Sequence, residues 1–363
     1  MKRVEVEGVD PVPPAAQIGP LRELADSLVD WGVWEEAWDA YRLLFRAALC
    51  HADLPAAADA TRGEARARQG AGRYQEALEL AELSYELSQR AELPLASSRA
   101  LNVLGSVHLS RQELELATAA FEQARETAAQ AGDDTVVAFA CQNLGVVANI
   151  RGKLREARAF YLEAVAAFTR VGAHPGTAVV QNNLGMVCAD LGDHAEAVQH
   201  FDRGVELAEG IGNQPLLARL HANRAEPFIH LGETEKARAD LDTALRVARR
   251  VEAGDVEAAA YRLRGVIARL GGDLAAAERC LERALEIATE GGHELERIET
   301  LGGLATIRRA QGRAGEAREL LLEARAGFVA LGAERDVRRL DGVLEEWDLP
   351  AAAGGNATPV EMG

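Results

Sequence analysis

Small residues recur in this chain every 40 positions, and a strict period of that length leaves few folds open. Ala25, Ala65, Gly105, Gly145, Gly185, Ala225, Gly265 and Ala305 form one such series. Seven residues later come Gly32, Gly72, Gln112, Gly152, Gly192, Gly232, Gly272 and Gly312. Five further on lies an unbroken set of alanines: Ala37, Ala77, Ala117, Ala157, Ala197, Ala237, Ala277 and Ala317. A bulky residue follows four positions after each alanine (Tyr41, Phe121, Tyr161, Phe201, Leu241, Leu281, Leu321), with Ala81 standing in the remaining unit. Eight units fit without gap or insertion. Such a chain is an array whose units each shield the apolar face of a neighbour.

The spacing inside a unit is helical. Ala117, Phe121 and Ala124 fall at i, i+4 and i+7, one face of a helix. Gly132, Gly172, Gly212, Gly292 and Gly332 close most units, where a helix C-cap needs a left-handed backbone. The Gly32 series marks the turn between the two helices of a unit, and the small residues let those helices approach closely. Each unit is therefore predicted to be an αα-hairpin of two helices, about 16 residues and ~24 Å each. The sequence divides into an N-terminal segment without pattern (1–18), eight units (19–335), a capping helix (336–349) and a disordered tail (350–363).

Composition narrows function. Asp plus Glu number 57 against 40 Lys plus Arg, a formal net charge of −17, which argues against a nucleic-acid partner. Apolar runs are too short to span a bilayer, and the first residues, MKRVEVEGVDPVPP, do not read as a secretory signal. Cys50, Cys141, Cys188 and Cys280 are isolated, as ordinary thiols in a reducing compartment would be, so the expected location is cytoplasmic. None of the eight histidines falls at a metal-binding spacing, and no P-loop, GxGxxG after a strand or GxSxG elbow occurs. The carboxylates read as exposed, without a means of raising one pKa against another. No enzymatic activity, cofactor or metal is expected.

Small, Gly, Ala and bulky residues at these offsets, as in NNLG…LGD…A…F, resemble the tetratricopeptide repeat (TPR), in the long-helix variety of kinesin light chain, the Pins/LGN adaptors and bacterial peptide-sensing regulators. The resemblance implies an all-α solenoid wound as a right-handed superhelix, with first helices lining a concave groove that holds ligands. One departure is the aromatic usual at the eleventh repeat position: His108, Ala148, Cys188 and Ala268 stand there, and only Phe228 fits.

Carrying the groove offsets over gives candidate contacts: Arg62, Arg66, Arg99, Asn102, Gln142, Asn149, Asn182, Arg219, Arg262, Arg269 and Arg309. Asn102, Gln142 and Asn182 form a ladder of amides, each able to donate to and accept from a peptide main chain. Two readings stand: the ladder grips a ligand, or it bonds within the array. Asn143, Asn183 and Asn223, one step round the helix, read as structural. Over the groove offsets eight arginines, Arg22 included, meet six acids (Asp26, Asp30, Asp59, Asp190, Glu226, Glu299). Arg262, Arg269 and Arg309 are expected to let the C-terminal half take an acidic segment or a free C-terminus, against the plainer reading that these arginines pair with nearby acids. Pro227, inside a first helix, reads as a tolerated defect more than a kink. The expected function is a non-enzymatic scaffold for a peptide or protein. Alternatives are a peptide-responsive signalling regulator, whose usual output module is not expected in the short segment before the units, and a self-associating structural protein.

Overall fold

Backbone conformation keeps the same ruler at half its length. In the computed structural model, which describes residues 14–348, one residue with positive φ recurs every 20 positions from Gly32 to Gly332, with φ between 54° and 84°. Twelve of these are glycine, which adopts the left-handed region without strain, and four are Ala52, Glu92, Gln112 and Glu252. The following N–H then reaches back over the helix end, as Asp193 N does to the Cys188 carbonyl at 2.9 Å.

Between these turns lie helices, and no strand occurs among the described residues. Helices α1 (Ile18–Asp30), α2 (Trp34–Cys50), α3 (Leu54–Gly70), α4 (Tyr74–Arg90), α5 (Pro94–Ser110), α6 (Leu114–Ala131), α7 (Asp134–Ile150) and α8 (Leu154–Arg170) belong to one compact unit. A second holds α9 (His174–Asp190), α10 (His194–Gly210), α11 (Gln214–His230), α12 (Thr234–Arg250), α13 (Gly254–Leu270), α14 (Leu274–Glu290), α15 (Glu294–Ala310), α16 (Ala314–Ala330) and α17 (Glu334–Asp348). Asp53, Asp133, Asn213 and Asp273 accept backbone N–H groups at four helix starts. None of the helices is long and apolar enough to cross a membrane.

The 40-residue signature has a direct steric cause. A Cβ on Gly105 would lie 2.7 Å from the Phe121 ring, on Gly145 2.5 Å from Tyr161, on Gly185 2.6 Å from Phe201, and on Gly265 2.8 Å from Leu281. In these four units the glycine is the floor on which the unit's own bulky residue sits, whereas the Tyr41 ring lies on Gly63. Where the bulky residue is Ala81, the floor is Ala65 instead. Phe121, Tyr161 and Phe201 are buried, and truncating such a ring to alanine costs roughly 3–5 kcal/mol. Consecutive helices pack from α1 to α7 in one unit and from α9 to α17 in the other, and odd helices also meet the next odd helix (α1·α3, α3·α5, α5·α7; α9·α11, α11·α13, α13·α15). First helices thus crowd together on one side of each unit.

The boundaries differ slightly from expectation. The segment 1–18 is described from residue 14, with a 3₁₀ turn over Ala15–Gln17 and α1 beginning at Ile18. The final helix starts at Glu334, and Leu340, Val343 and Leu344 bury it against Ile298, Leu321 and Phe328. Residues 1–13, the last residue of the expected capping segment and the tail 350–363 lie outside the described residues. Helix α11 runs through Pro227 without interruption.

Candidate functional site

Arg62, Arg66, Arg99 and Asn102 meet at one place. Arg62 and Arg66 are one turn apart on α3, Arg99 and Asn102 nearly so on α5, and Thr135, Val136 and Phe139 complete the wall from α7. Together with Val103 they line an open pocket of about 500 Å³ within the first unit. That volume is in the range of small-molecule and peptide side-chain sites.

Each arginine leans on an aspartate that already has other work. Arg62 lies 3.2 Å from Asp59, which also faces Arg22 at 3.2 Å. Arg66 is 3.9 Å from Asp26, whose carboxylate accepts the Tyr41 hydroxyl at 2.5 Å. Burial and that carboxylate push the Tyr41 hydroxyl well above its ordinary pKa. Arg99 Nη2 lies 3.0 Å from Asp133, which also caps α7 through the N–H groups of Thr135 and Val136. Four arginines therefore share three carboxylates. Among the described residues Arg62 Nε is buried without an acceptor, as Arg262 Nε is in the second unit. Asn102 accepts from Asn143 Nδ2 at 3.3 Å, leaving its own amide hydrogens for another partner. Phe139 is 42% exposed, its ring held edge-on to Phe168 at 5.0 Å.

The remaining candidates are dispersed. Gln142 and Asn149 are half-buried on α7, outside the pocket wall. In the second unit Asn182 is buried, accepting from Asn223 Nδ2 at 2.9 Å and donating to Met186 Sδ at 3.5 Å. Asn102 and Asn182 thus each receive an amide from the following repeat, so at these two rungs the ladder bonds within the array. Arg219 pairs with Asp255 at 2.7 Å.

At Arg262 the expected acid-binding C-terminal half needs correction. Its side chain, 15% exposed, lies 2.6 Å from Glu299 and 3.5 Å from Glu296, both supplied by α15. Glu299 therefore neutralises the charge that was to receive a carboxylate. Arg309 stacks on Trp347 at 4.5 Å, and Arg269 lines a separate cleft with Leu281 and Ile307. The clefts at Arg262 and Arg269 hold about 40 and 30 Å³, room for a few waters.

One further expectation fails for reasons of burial. Carboxylates are not uniformly exposed: burial pushes Glu64 up to about 7 despite Arg42 and Arg68, and raises Glu296 to about 7 beside Arg262. Nor are the cysteines all alike. Cys141 is an ordinary buried thiol, pushed up to about 12 by burial and the Glu163 carboxylate, whereas Cys188 lies with Glu196 and His200 in one cluster. Sequence reasoning also passed over Phe139, although it stands 40 residues after Arg99 and 80 before Arg219, on a groove offset already in use.

A tetratricopeptide-repeat model matches residues 134–210, 216–290 and 256–328, together more than half of the chain. No curated protein matches it in sequence. Among solved structures it is similar to the apo form of the quorum sensor NprR from B. thuringiensis (TM-score 0.64, 15% identity, 86% of this chain and 97% of that one). It is also similar to a signal-transduction ATPase with a tetratricopeptide-repeat sensor from Pyrococcus horikoshii (TM-score 0.64, 15% identity, 90% of this chain), of which it spans 50%. A third is the Rap conjugation gene regulator of plasmid pLS20 in complex with the Phr* peptide (TM-score 0.56, 14% identity, 94% of this chain and 100% of that one). At these identities the likeness is one of fold.

Proposed function

Because the chain belongs to the tetratricopeptide-repeat family, we propose that it is a non-enzymatic binding scaffold whose pocket between α3, α5 and α7 takes an extended peptide bearing an acidic group beside an apolar side chain. The observation that carries this reading is the meeting of donors with an exposed ring: Arg62, Arg66, Arg99, Asn102 and Phe139 line one pocket of about 500 Å³, and the Asn102 amide hydrogens are not taken by Asn143. Asn102 donates to a peptide carbonyl, Arg62 and Arg99 fork onto the acid, and Phe139 receives the apolar side chain. In another chain of this fold a peptide is bound, which supports the class of ligand.

Selection from a displayed random-peptide library against the full chain tests it. Enriched sequences should be acidic, and the double variant Arg62→Ala/Arg99→Ala should bind them about a hundredfold or more weakly, at ~1.5–3 kcal/mol per charged hydrogen bond. Equal affinity for variant and wild type would remove the pocket from consideration. A ligand-responsive regulator is the second reading, favoured by the sensor and regulator roles in the names of similar folds. It predicts that a selected peptide changes hydrogen exchange beyond α3, α5 and α7.

A further inference from the structure

Helices α9 and α10 are joined by three residues, with Gly192 at φ +84° turning the chain back on itself. The last turn of α9 therefore faces the first two turns of α10. Cys188 comes from the former, Glu196 and His200 at i, i+4 from the latter, and their ligand atoms all lie within 4.8 Å of one another. Backbone bonds hold both ends of this corner, Asp193 N to the Cys188 carbonyl and Ala197 N to the Asp193 carbonyl, each at 2.9 Å.

We propose that Cys188, Glu196 and His200 bind a zinc-class divalent cation. His200 is oriented for it. Its Nδ1 lies 2.8 Å from Gln181 Oε1, and an amide oxygen only accepts, so Nδ1 carries the proton and Nε2 presents its lone pair to the cluster. An outer partner of this kind is what metal-bound histidines use to fix ring and tautomer. Nε2 stands 3.5 Å from Glu196 Oε1. A charge-assisted hydrogen bond would close to about 2.7–2.9 Å, whereas two ligands of a tetrahedral zinc, with bonds of about 2.0–2.3 Å, stand about 3.3–3.6 Å apart. Sulfur, imidazole and carboxylate are the donors this class of ion prefers, and thiolate plus carboxylate balance its two charges in a place where Cys188 and His200 are buried. Glu196, its side chain 35% exposed, is the way in from solvent. Three protein ligands leave a fourth position for water. Gln181 is a positioning residue.

Cobalt(II) titration of chelator-treated full chain is the test, made in a Cys50→Ser background because Cys50 is exposed. The expected result is a thiolate-to-cobalt charge-transfer band saturating at one ion per chain and displaced by zinc. It should vanish in Cys188→Ser, and Gln181→Leu should weaken affinity about 10–100-fold with the band shape kept. Glu196→Gln, partly exposed and with helicity checked by circular dichroism, should weaken binding at least tenfold even if Cys188→Ser fails to fold. No stoichiometric band in the parent, a band that survives in folded Cys188→Ser, or full affinity in Glu196→Gln would overturn the site.

Discussion

Arg62 and Arg262 stand at the same position of repeats five units apart and have opposite surroundings. Arg62, its side chain 20% exposed, opens onto a pocket of about 500 Å³, while Arg262 closes a cleft of about 40 Å³. The cause is the next first helix. At the two offsets that face them, α5 supplies Arg99 and Asn102, whereas α15 supplies Glu299 and Gly302. One acid in place of one base gives Arg262 carboxylates on the facing helix, where Arg62 has Asp59 of its own helix. Register puts an arginine on the inner side of a repeat; its neighbour decides whether the charge is available.

The comparison breaks first at Arg262. Arg262→Ala leaves Glu296 and Glu299 beside a buried, uncompensated site and should cost about 3–5 kcal/mol in urea unfolding. Arg62→Ala, which leaves Asp59 still paired with Arg22, should cost about 1 kcal/mol or less. Equal losses would mean that the two arginines do not differ as described.

Next in size is the buried carboxylate of the first unit. Glu64 is raised to about 7 in the folded chain, so the folded state holds a proton that the unfolded state, with an ordinary value near 4.5, gives up. Stability from this group is present below about 4.5 and lost as pH rises through 7. Glu64→Gln should flatten the stability profile between pH 5 and 8, a gain approaching ~3 kcal/mol at pH 8 on the scale of 1.36 kcal/mol per unit. Denaturant midpoints across that range give the answer.

Arg99→Glu sharpens the contrast by giving α5 the residue that α15 carries. It should reduce affinity for acidic peptides about 10–100-fold in fluorescence anisotropy while helicity is unchanged. The smallest effect concerns turns. Gln112 has φ 62° where the other seven units have glycine with φ between 70° and 84°; Gln112→Gly should raise the unfolding free energy by up to about 1 kcal/mol. Gly192→Ala, the reverse change, should lower it by a similar amount.

Much of this was readable from residue order because a repeat's register is a local, one-dimensional property. The Gly105 and Ala117 series foretold both helices of each unit, since a floor without a Cβ is the only one on which Phe121 or Tyr161 can lie. Glycine marked twelve of the sixteen positive-φ turns, and Ala52, Glu92, Gln112 and Glu252 hold the other four. The same offsets identified Arg62, Arg66, Arg99 and Asn102, whose side chains the fold gathers in one pocket. Pairing was not readable. Asn143 reaching Asn102, α15 closing on Arg262, and Arg68 held by Glu35 and Glu76 all depend on side chains of another helix, up to 41 residues away. Glu64 looked like any helix carboxylate, and only its burial changes its chemistry.

Residue order by itself determined the helical hairpin, its approximate length and most of its turns, because periodicity and steric size act between fixed offsets. Tertiary structure alone decided which inward charges are spent on neighbours, which carboxylates hold a proton, and that Cys188, Glu196 and His200 share one corner. Those outcomes turn on distances of a few ångströms between helices, where Coulomb energy and desolvation change steeply, and a repeat pattern carries no information at that scale.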